Sequence, residues 1–547
     1  MDEFINRLRE GFKGDISAET PDLEKFSRDA SFFKVMPKLA VFPKDAEDLK
    51  RLVNLVNEFC TQGKIFNLTA RSAGTDMGGG PLGESIIVDF TKYFKNIKEI
   101  GSEFAVTEPG VYFRDFDKET LAKGYFMPAY PASREICTVG GMVGNNAGGE
   151  KTLEYGKVED YVLEIKAVLQ DGNEYAFRKL NLSELEEKKS LMTFEGEVYR
   201  KVHALIEKNY EKIMAAKPKV SKNSAGYFLW NVFDKQAGTF DLTKLLVGSQ
   251  GTLGLTTEIK FKLVKPKTHS RLLIIFLKDL KQLGVITENI LKFHPESIES
   301  YDDHTFRLAL KLFPALLKKL KGNAILLLLR FIPDFWAFLT GGIPKLILMA
   351  EFTADNEEEA EKQALAAKAS LEEFKLKSKI ATSPEEMGKY WTIRRESFNM
   401  LRNHVKKMRT APFIDDFVVQ PEVLPQFLPE LYKILDQYKI IYTVAGHVGS
   451  GNFHIIPLMD FGSAKTKGVV NDLMFKVNDL VFRYKGSMTG EHNDGIVRTP
   501  FLKAMFGVEI VKLFEDTKAI FDPHNIFNPR KKVDGTWKYA LDHIIKE

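Results

Sequence analysis

Cysteine is nearly missing: Cys60 and Cys137 are the only two in 547 residues, and each stands alone. That excludes a disulfide framework, a cysteine-rich zinc ribbon and a four-cysteine iron–sulfur site within the chain, and fits a reducing compartment. An excess of one charge is missing too. The 78 Lys+Arg against 74 Asp+Glu leave a net charge of +4, too little over this length to point to nucleic acid, and no basic arm supports that partner. No uncharged apolar run approaches the roughly 20 residues that cross a bilayer. The first residues, MDEFINRLREGFKG, mix acids and bases without an apolar core, so neither a secretory signal nor a transit peptide is expected.

What is present is the composition of a folded protein, with 44% hydrophobic and 28% charged residues, and a length beyond one hydrophobic core. Asp45 after Pro43-Lys44, then Leu49, Leu52, Val53, Val56 and Phe59 at helical spacing with Gly63 beyond, predict a helix over 46–61. KIFNLTAR and ESIIVDF read as strands on either side of a Gly-rich turn, and EFAVTEPG followed by FRDFDKETLAKG repeats a strand-then-helix alternation. A second mixed segment, from about Arg271 to Lys485, has strand-like RLLIIFL, KLILMAEF and IIYTVAG with a charged helix at NEEEAEKQALAAKASLEEF. The main boundary is placed near Lys265-Pro266-Lys267. In the tail, KAMFGVEIVKLFEDTKAIF reads as one amphipathic helix stopped by Asp522-Pro523.

Residues 311–345 stand apart, with 20 of 35 residues apolar, six bases and one acid. Their uncharged runs, Gly322–Leu329 and Phe335–Pro344, are 8 and 10 residues. Trp336 and Phe338 flanked by lysines suit a segment lying on an anionic membrane surface, and a buried helix pair with solvated lysines is the other reading.

Five glycines fall within 74–83 (Gly74, Gly78, Gly79, Gly80, Gly83) and five within 140–149 (Gly140, Gly141, Gly144, Gly148, Gly149), with Gly248-Ser-Gln-Gly251-Thr-Leu-Gly254 further on. Such loops let backbone N–H groups close on phosphate oxygens, although neither of the first two has a P-loop or Rossmann pattern. Histidine placement is the second signal. His447 and His454 bracket Gly449-Ser450-Gly451-Asn452, a sequence that can reverse a strand and set the two imidazoles face to face. With Glu491 they offer an N,N,O set to a divalent metal such as zinc or manganese, and His492 beside Glu491 has the near-neutral pKa of a general base. Ordinary hydrogen-bonded loop histidines remain the alternative. Arg394, in YWTIRRESF, has the planar guanidinium that grips a carboxylate by both oxygens.

In order along the chain, ARSAGTDMGGG, VDF, PGV, TVGGMVGNNAGGEKTLEYG, VGSQGTLGLTTE, AGHVGSGNFH, TGEHNDG and FDPHNIFNP resemble the p-cresol methylhydroxylase and vanillyl-alcohol oxidase superfamily. The closer likeness is to its D-lactate, glycolate and D-2-hydroxyglutarate dehydrogenase branch, from about Phe26 to Lys531. The resemblance implies an α+β chain: a PCMH-type FAD-binding fold of two subdomains over 1–267, an α/β cap domain for substrate over 268–499 carrying the 311–345 insertion, and a C-terminal helical segment over 500–547 returning to the FAD domain. It implies that Arg71, Ser72, Ala73, Gly74, Thr75, Asp76, Gly78 and Gly79 hold the FAD pyrophosphate. Pro131, Thr138, Gly140, Gly141, Asn145, Gly148, Gly149, Gly251 and Asn528 would complete the cofactor site. FAD is expected to be noncovalent, since the first loop lacks the attaching histidine.

By the same resemblance His447, His454 and Glu491 are metal ligands, His492 the catalytic base and Arg394 the carboxylate clamp. Lys222, Asn223 and Tyr227, in K-N-x-x-G-Y, would lie near the substrate. The implied reaction is oxidation of a D-2-hydroxy acid to the 2-oxo acid by hydride transfer to flavin N5, with quinone, a cytochrome or a separate iron–sulfur partner as electron acceptor. Ile456, where some members place an asparagine, favours a short acid such as D-lactate, and Arg530 replaces the usual glycine after Asn528-Pro529. A cytoplasmic enzyme, peripheral on the inner face of the membrane, is expected. Two related readings are an ether-lipid enzyme like alkylglycerone-phosphate synthase, whose histidine run is replaced here by Glu491-His492, and a glycolate oxidase-type flavin subunit.

Overall fold

The computed structural model describes residues 1–303, 305, 307, 343–404 and 408–546, with side chains omitted for 396–404. Most of the 311–345 segment, and with it the membrane-surface reading, lies outside the described residues. Among the described residues no helix is long and apolar enough to cross a membrane.

Helix α1 (Ala46–Thr61) starts where the sequence places it: the Asp45 side chain accepts the Asp48 N–H at 3.1 Å. It buries Leu49, Leu52, Val53, Val56 and Phe59, each contributing roughly 1.5–3 kcal/mol. Strands β1 (Asp15–Ser17), β2 (Leu39–Phe42), β3 (Leu68–Arg71) and β4 (Ile86–Asp89) form a sheet in the order β1-β2-β4-β3, and β3 runs parallel to β4. Parallel neighbours need a crossover, so the Gly-rich stretch between them is a long loop over the sheet end, not a tight turn. Strands β5 (Ile97–Ile100), β6 (Phe104–Thr107), β7 (Val162–Val168), β8 (Glu174–Arg178) and β9 (Leu255–Lys262) make a five-stranded sheet ordered β5-β6-β9-β7-β8. The short helix α2 (Val139–Asn145) carries the second glycine cluster.

Beyond residue 268 a larger sheet is built from β10 (His269–Leu277), β11 (Ser297–Asp302), β12 (Leu346–Ala354), β13 (Lys377–Ala381), β14 (Arg409–Thr410), β15 (Phe417–Val418), β16 (Ile441–His447) and β17 (Asn452–Met459). Its order is β13-β10-β12-β11-β16-β17-β14, with β15 also paired to β17. The expected charged helix is α3 (Glu357–Ala369), capped by Asn356. Helix α4 (Pro384–His404) covers one face of the sheet, where Tyr301, Ile347 and Met349 pack with Tyr390, Trp391 and Ile393. Side chains alternate along β11, so Ser297 and Glu299 share that α4 face with Tyr301.

The tail departs from the expected single helix. It breaks at Gly507, whose φ of 79° ends Leu502–Phe506 before α5 (Val508–Phe521) begins. The last segment then ties back to the first half of the chain: Lys518 Nζ donates to the Thr252 carbonyl at 2.7 Å, and Asn528 Nδ2 to the Gly80 and Gln250 carbonyls at 2.9 and 2.7 Å. It also reaches the other half, Trp537 Nε1 donating to Asn471 Oδ1 at 2.7 Å.

Candidate active site

The three glycine-rich loops meet along one groove. Arg71, Ser72, Ala73, Gly74, Thr75 and Asp76 line it from the β3 end, Thr138, Gly140, Gly141 and Asn145 from α2, and Gly251 from the third loop. The loop after β3 is folded around Asp76, whose Oδ1 accepts the Gly78 and Gly80 N–H groups at 2.7 and 2.9 Å and whose Oδ2 accepts from Asn145 Nδ2 at 2.8 Å. Arg71 is 7% exposed and donates to the Phe26 and Arg28 carbonyls, so its guanidinium braces the loop. Beside it the Asp29 carboxyl is pushed up to about 7, by burial first and by the Asp76 charge next.

Several expected residues do not line the groove. Gly78 and Gly79 sit behind it against Asp494, Ile496 and Phe33, Asn528 is the brace described above, and Pro131 packs against Gly149. Gly144 of the second glycine cluster, Ser249 and Gln250 of the third loop, and Thr256 do line it, although the resemblance assigned none of the four to the cofactor. At Gly144 an added Cβ would come no nearer to protein than 4.0 Å, at Gln250 Cα, so bare helix backbone faces the groove. Glycine backbone on two sides, from Gly74, Gly140, Gly141, Gly144 and Gly251, is a fit for an extended dinucleotide such as FAD.

Gly148 and Gly149 connect this groove to a second cluster. A Cβ on Gly148 would lie 3.4 Å from Glu491 Cγ, and the Gly149 carbonyl accepts from Lys222 Nζ at 3.4 Å. The histidine pair arises from a β-hairpin: β16 and β17 pair antiparallel with His447 opposite Asn452 and Ala445 opposite His454. Gly451 makes the reversal possible. Its φ is 62°, and a Cβ there would sit 1.8 Å from the Val419 carbonyl oxygen. The two imidazole centroids are 5.2 Å apart with rings at 90°.

His447 Nε2 lies 3.4 Å from Glu491 Oε1, His454 Nε2 lies 4.0 Å from Glu491 Oε2, and the three ligand atoms are all within 4.8 Å of one another. Each imidazole is oriented by a carboxylate on its other nitrogen: His447 Nδ1 meets Glu299 Oε1 at 2.5 Å and His454 Nδ1 meets Asp415 Oδ1 at 3.0 Å. That is how metal-binding histidines are held with Nε2 pointing inward, and the donor set fits a divalent cation with an N,N,O preference. Lys222, 2% exposed, donates to Glu491 Oε1 at 2.6 Å. Burial opposes the charge on Glu491, but Lys222 and His447 outweigh it and hold the carboxyl well below its usual range.

His492 stacks on His454 at 5.2 Å between centroids. Its Nδ1 is 3.1 Å from Asp415 Oδ2 without the alignment of a full hydrogen bond. Asp416, 0% exposed, fixes the loop by accepting the Glu491 and His492 backbone N–H groups at 2.8 and 2.7 Å and the Thr489 hydroxyl at 2.6 Å. Burial lowers the His492 pKa, and the two aspartates overcome it and lift it to about 9. Arg394 is brought to the edge of the same cluster, its Nε donating to Glu299 Oε2 at 3.1 Å and its Nη2 lying 3.0 Å from the same oxygen as an ion pair.

The K-N-x-x-G-Y element is only partly in the site. Lys222 reaches Glu491, whereas Asn223 closes its own turn on Ala225 and accepts from Ser487. Tyr227 is buried in the core with its hydroxyl on Thr252 at 2.6 Å, so neither side chain faces the imidazoles. The chief residues not found from the sequence are Glu299, Asp415 and Asp416. The one local signal for the aspartates is their tandem position inside the apolar run FIDDFVV, where charge persists only if partnered.

Comparison with known proteins gives matches to the FAD binding domain over residues 37–177 and to the C-terminal domain of FAD linked oxidases over residues 266–532. The D-2-hydroxyglutarate dehydrogenase of Pseudomonas putida is 29% identical over 100% of this chain, which spans 54% of that protein; the chain likewise spans about half of the proteins of that name from Pantoea ananatis and Escherichia coli, and 96% of the one from Stutzerimonas stutzeri. The D-lactate dehydrogenase of Archaeoglobus fulgidus is 24% identical over 90% of this chain and 91% of its own. In fold, p-cresol methylhydroxylase superposes with a TM-score of 0.66 at 14% identity, over 97% of each chain. With a glycine-lined groove opening beside the imidazole cluster, and both domain matches in sequence order, the chain carries an FAD binding domain followed by a C-terminal domain of FAD linked oxidases, and it shares the fold of p-cresol methylhydroxylase.

Proposed function

We propose that the protein is an FAD-dependent dehydrogenase that oxidises a D-2-hydroxy acid to the 2-oxo acid. The observation that carries this reading is the convergence of His447, His454, Glu491, His492 and Arg394 beside the Gly148-Gly149 end of the cofactor groove. Arg394, held in orientation by Glu299, takes the substrate carboxylate. His492, set by Asp415 and by its backbone bond to Asp416, takes the proton of the C2 hydroxyl. Bound FAD supplies the acceptor for the C2 hydrogen and its electron pair. A divalent cation on His447, His454 and Glu491 would supply a Lewis acid for the hydroxyl oxygen and, as a positive charge beside His492, draw its raised pKa back toward neutral.

Ile456 lies two residues from His454 on the same face of β17 and is 9% exposed. It offers no polar partner on that side, which suits the minimal acid of the class, D-lactate. Quinone, a cytochrome or a separate iron–sulfur protein would take the electrons onward, with quinone favoured if 311–345 lies on a membrane.

Steady-state turnover with an artificial acceptor tests the reading. The FAD-loaded protein is expected to use D-lactate and not L-lactate. Dialysis against a chelator should remove turnover without loss of flavin absorbance, and zinc or manganese should restore it. Turnover that survives complete metal removal would contradict the cation's role.

A further inference from the structure

Glu150 and Arg395 join the two halves of the chain at the point where the carboxylate clamp is mounted. Arg395 follows Arg394 on α4, and its fork closes on both oxygens of Glu150, Nε donating to Oε2 at 3.1 Å and Nη2 to Oε1 at 2.7 Å. The same guanidinium lies over Trp391, one helical turn earlier, 4.4 Å from the ring centroid. Two-point binding of this kind fixes a guanidinium in direction as well as in distance.

The Glu150 side has a fixed base. Gly149 and Thr152 close a turn on one another, the Gly149 N–H donating to the Thr152 hydroxyl at 2.8 Å and the Thr152 N–H to the Gly149 carbonyl at 3.1 Å. A Cβ on Gly149 would lie 2.2 Å from the Tyr130 carbonyl oxygen, so the turn is pressed against the cofactor half with no room for a side chain. Gly148, just before it, abuts Glu491. Glu150 is thus carried by the same few residues that join the cofactor groove to the imidazole cluster.

Successive side chains on an α-helix are turned by about 100°, so Arg394 and Arg395 leave α4 in different directions, Arg394 toward Glu299 and Arg395 toward Glu150. Holding Arg395 fixes the roll of α4 about its axis, and that roll decides where the Arg394 guanidinium lies. The packing of Tyr390, Trp391 and Ile393 on the sheet is apolar and non-directional, and sets the roll less sharply. Glu299 is a one-sided guide, because His447 takes its Oε1 and Oε2 alone meets Arg394. The Arg395 side chain is 48% exposed, and an ion pair so open to water adds little stability. What the pair contributes is direction.

Resting on the reaction proposed above, we infer that Glu150, through its two-point hold on Arg395, is a positioning residue for the substrate carboxylate. It registers the Arg394 clamp, on one half of the chain, with the flavin groove on the other.

The test is anaerobic flavin reduction of the holoenzyme over a range of D-lactate concentrations, which separates the apparent Kd from the limiting rate. Glu150→Gln and Arg395→Met are each expected to raise the Kd about tenfold, as a misplaced binding group does. Flavin content and Tm should stay at wild-type values, and the limiting rate should change little, the pattern of lost ground-state binding. Arg395→Lys keeps the charge and loses the fork, so its Kd should fall between those of wild type and Arg395→Met. Arg394→Lys should raise the Kd by itself, and adding Glu150→Gln to it should change the Kd by less than about twofold, since residues that act through one another do not add. Lys151→Met is the contrast. Lys151 also bridges the halves, but to Glu296 at 2.7 Å rather than to α4, so its loss should leave the Kd near wild type.

A wild-type Kd in both Glu150→Gln and Arg395→Met overturns the assignment. So does an equal rise in Lys151→Met, which would make these contacts a general fastening of the two halves. Full additivity of Glu150→Gln with Arg394→Lys would also overturn it, by showing that Glu150 acts without Arg394. If no D-2-hydroxy acid reduces the wild-type flavin, the reaction itself has been misread.

Discussion

Replacing His492 with alanine is expected to slow flavin reduction by a D-2-hydroxy acid by about 10²- to 10⁴-fold, the usual worth of a positioned proton acceptor, with FAD still bound. The structure separates these two effects. The loop holding His492 is fixed through its backbone, which Asp416 accepts at Glu491 and His492, and through the Thr489 hydroxyl. None of those bonds uses the imidazole. His492 also does not line the cofactor groove, so visible flavin content should match wild type while rapid-mixing traces slow. Unchanged reduction would remove His492 from the mechanism. Lost flavin together with lost activity would make the residue a structural prop.

Gly144→Leu is expected to have the opposite signature, a folded protein without flavin. Gly144 lies inside α2, where leucine is favoured over glycine by about 1 kcal/mol. A side chain there meets no protein atom closer than 4.0 Å at Cβ and extends into the groove bounded by Gly74, Gly141 and Gly251. FAD affinity should weaken on the order of a hundredfold, about 2.7 kcal/mol, while the far-ultraviolet circular dichroism of the apoprotein stays native. Gly144→Ala, with a single methyl, should lose less. Full flavin content in the leucine variant would mean that the cofactor does not lie against α2.

What the sequence made legible was local. Asp45 and the apolar spacing after it specify α1 to the residue, and the Gly449–Asn452 reversal sets His447 and His454 on one face because a hairpin of that length fixes its own register. The glycine clusters were legible for the same reason, since each is a loop whose backbone must be bare whatever surrounds it. The acids that make the site work were not. Glu299 reaches His447 across 148 positions of chain and Asp415 reaches His454 across 39, contacts that exist only after the eight strands have found their order. Tyr227 misled in the opposite sense: its motif points toward substrate, yet the aromatic ring is worth more in the core beside Phe514, and the hydroxyl finds Thr252 there. Gly144 was legible as a member of the second glycine cluster, whereas Gln250 was not singled out, because a side chain's place in a groove depends on how α2 and the third loop meet.

The central claim, that a D-2-hydroxy acid delivers its C2 hydrogen to the flavin of this protein, is tested most directly by the visible spectrum of the anaerobic holoenzyme. D-lactate, L-lactate, glycolate and D-2-hydroxyglutarate are added in separate cuvettes, and the 2-oxo acid formed in a single turnover is measured. The account predicts that a D-acid bleaches the flavin band with one 2-oxo acid formed per flavin, while L-lactate leaves it intact. A flavin band unchanged by every acid would contradict the account and turn attention to the ether-lipid chemistry that the same fold supports.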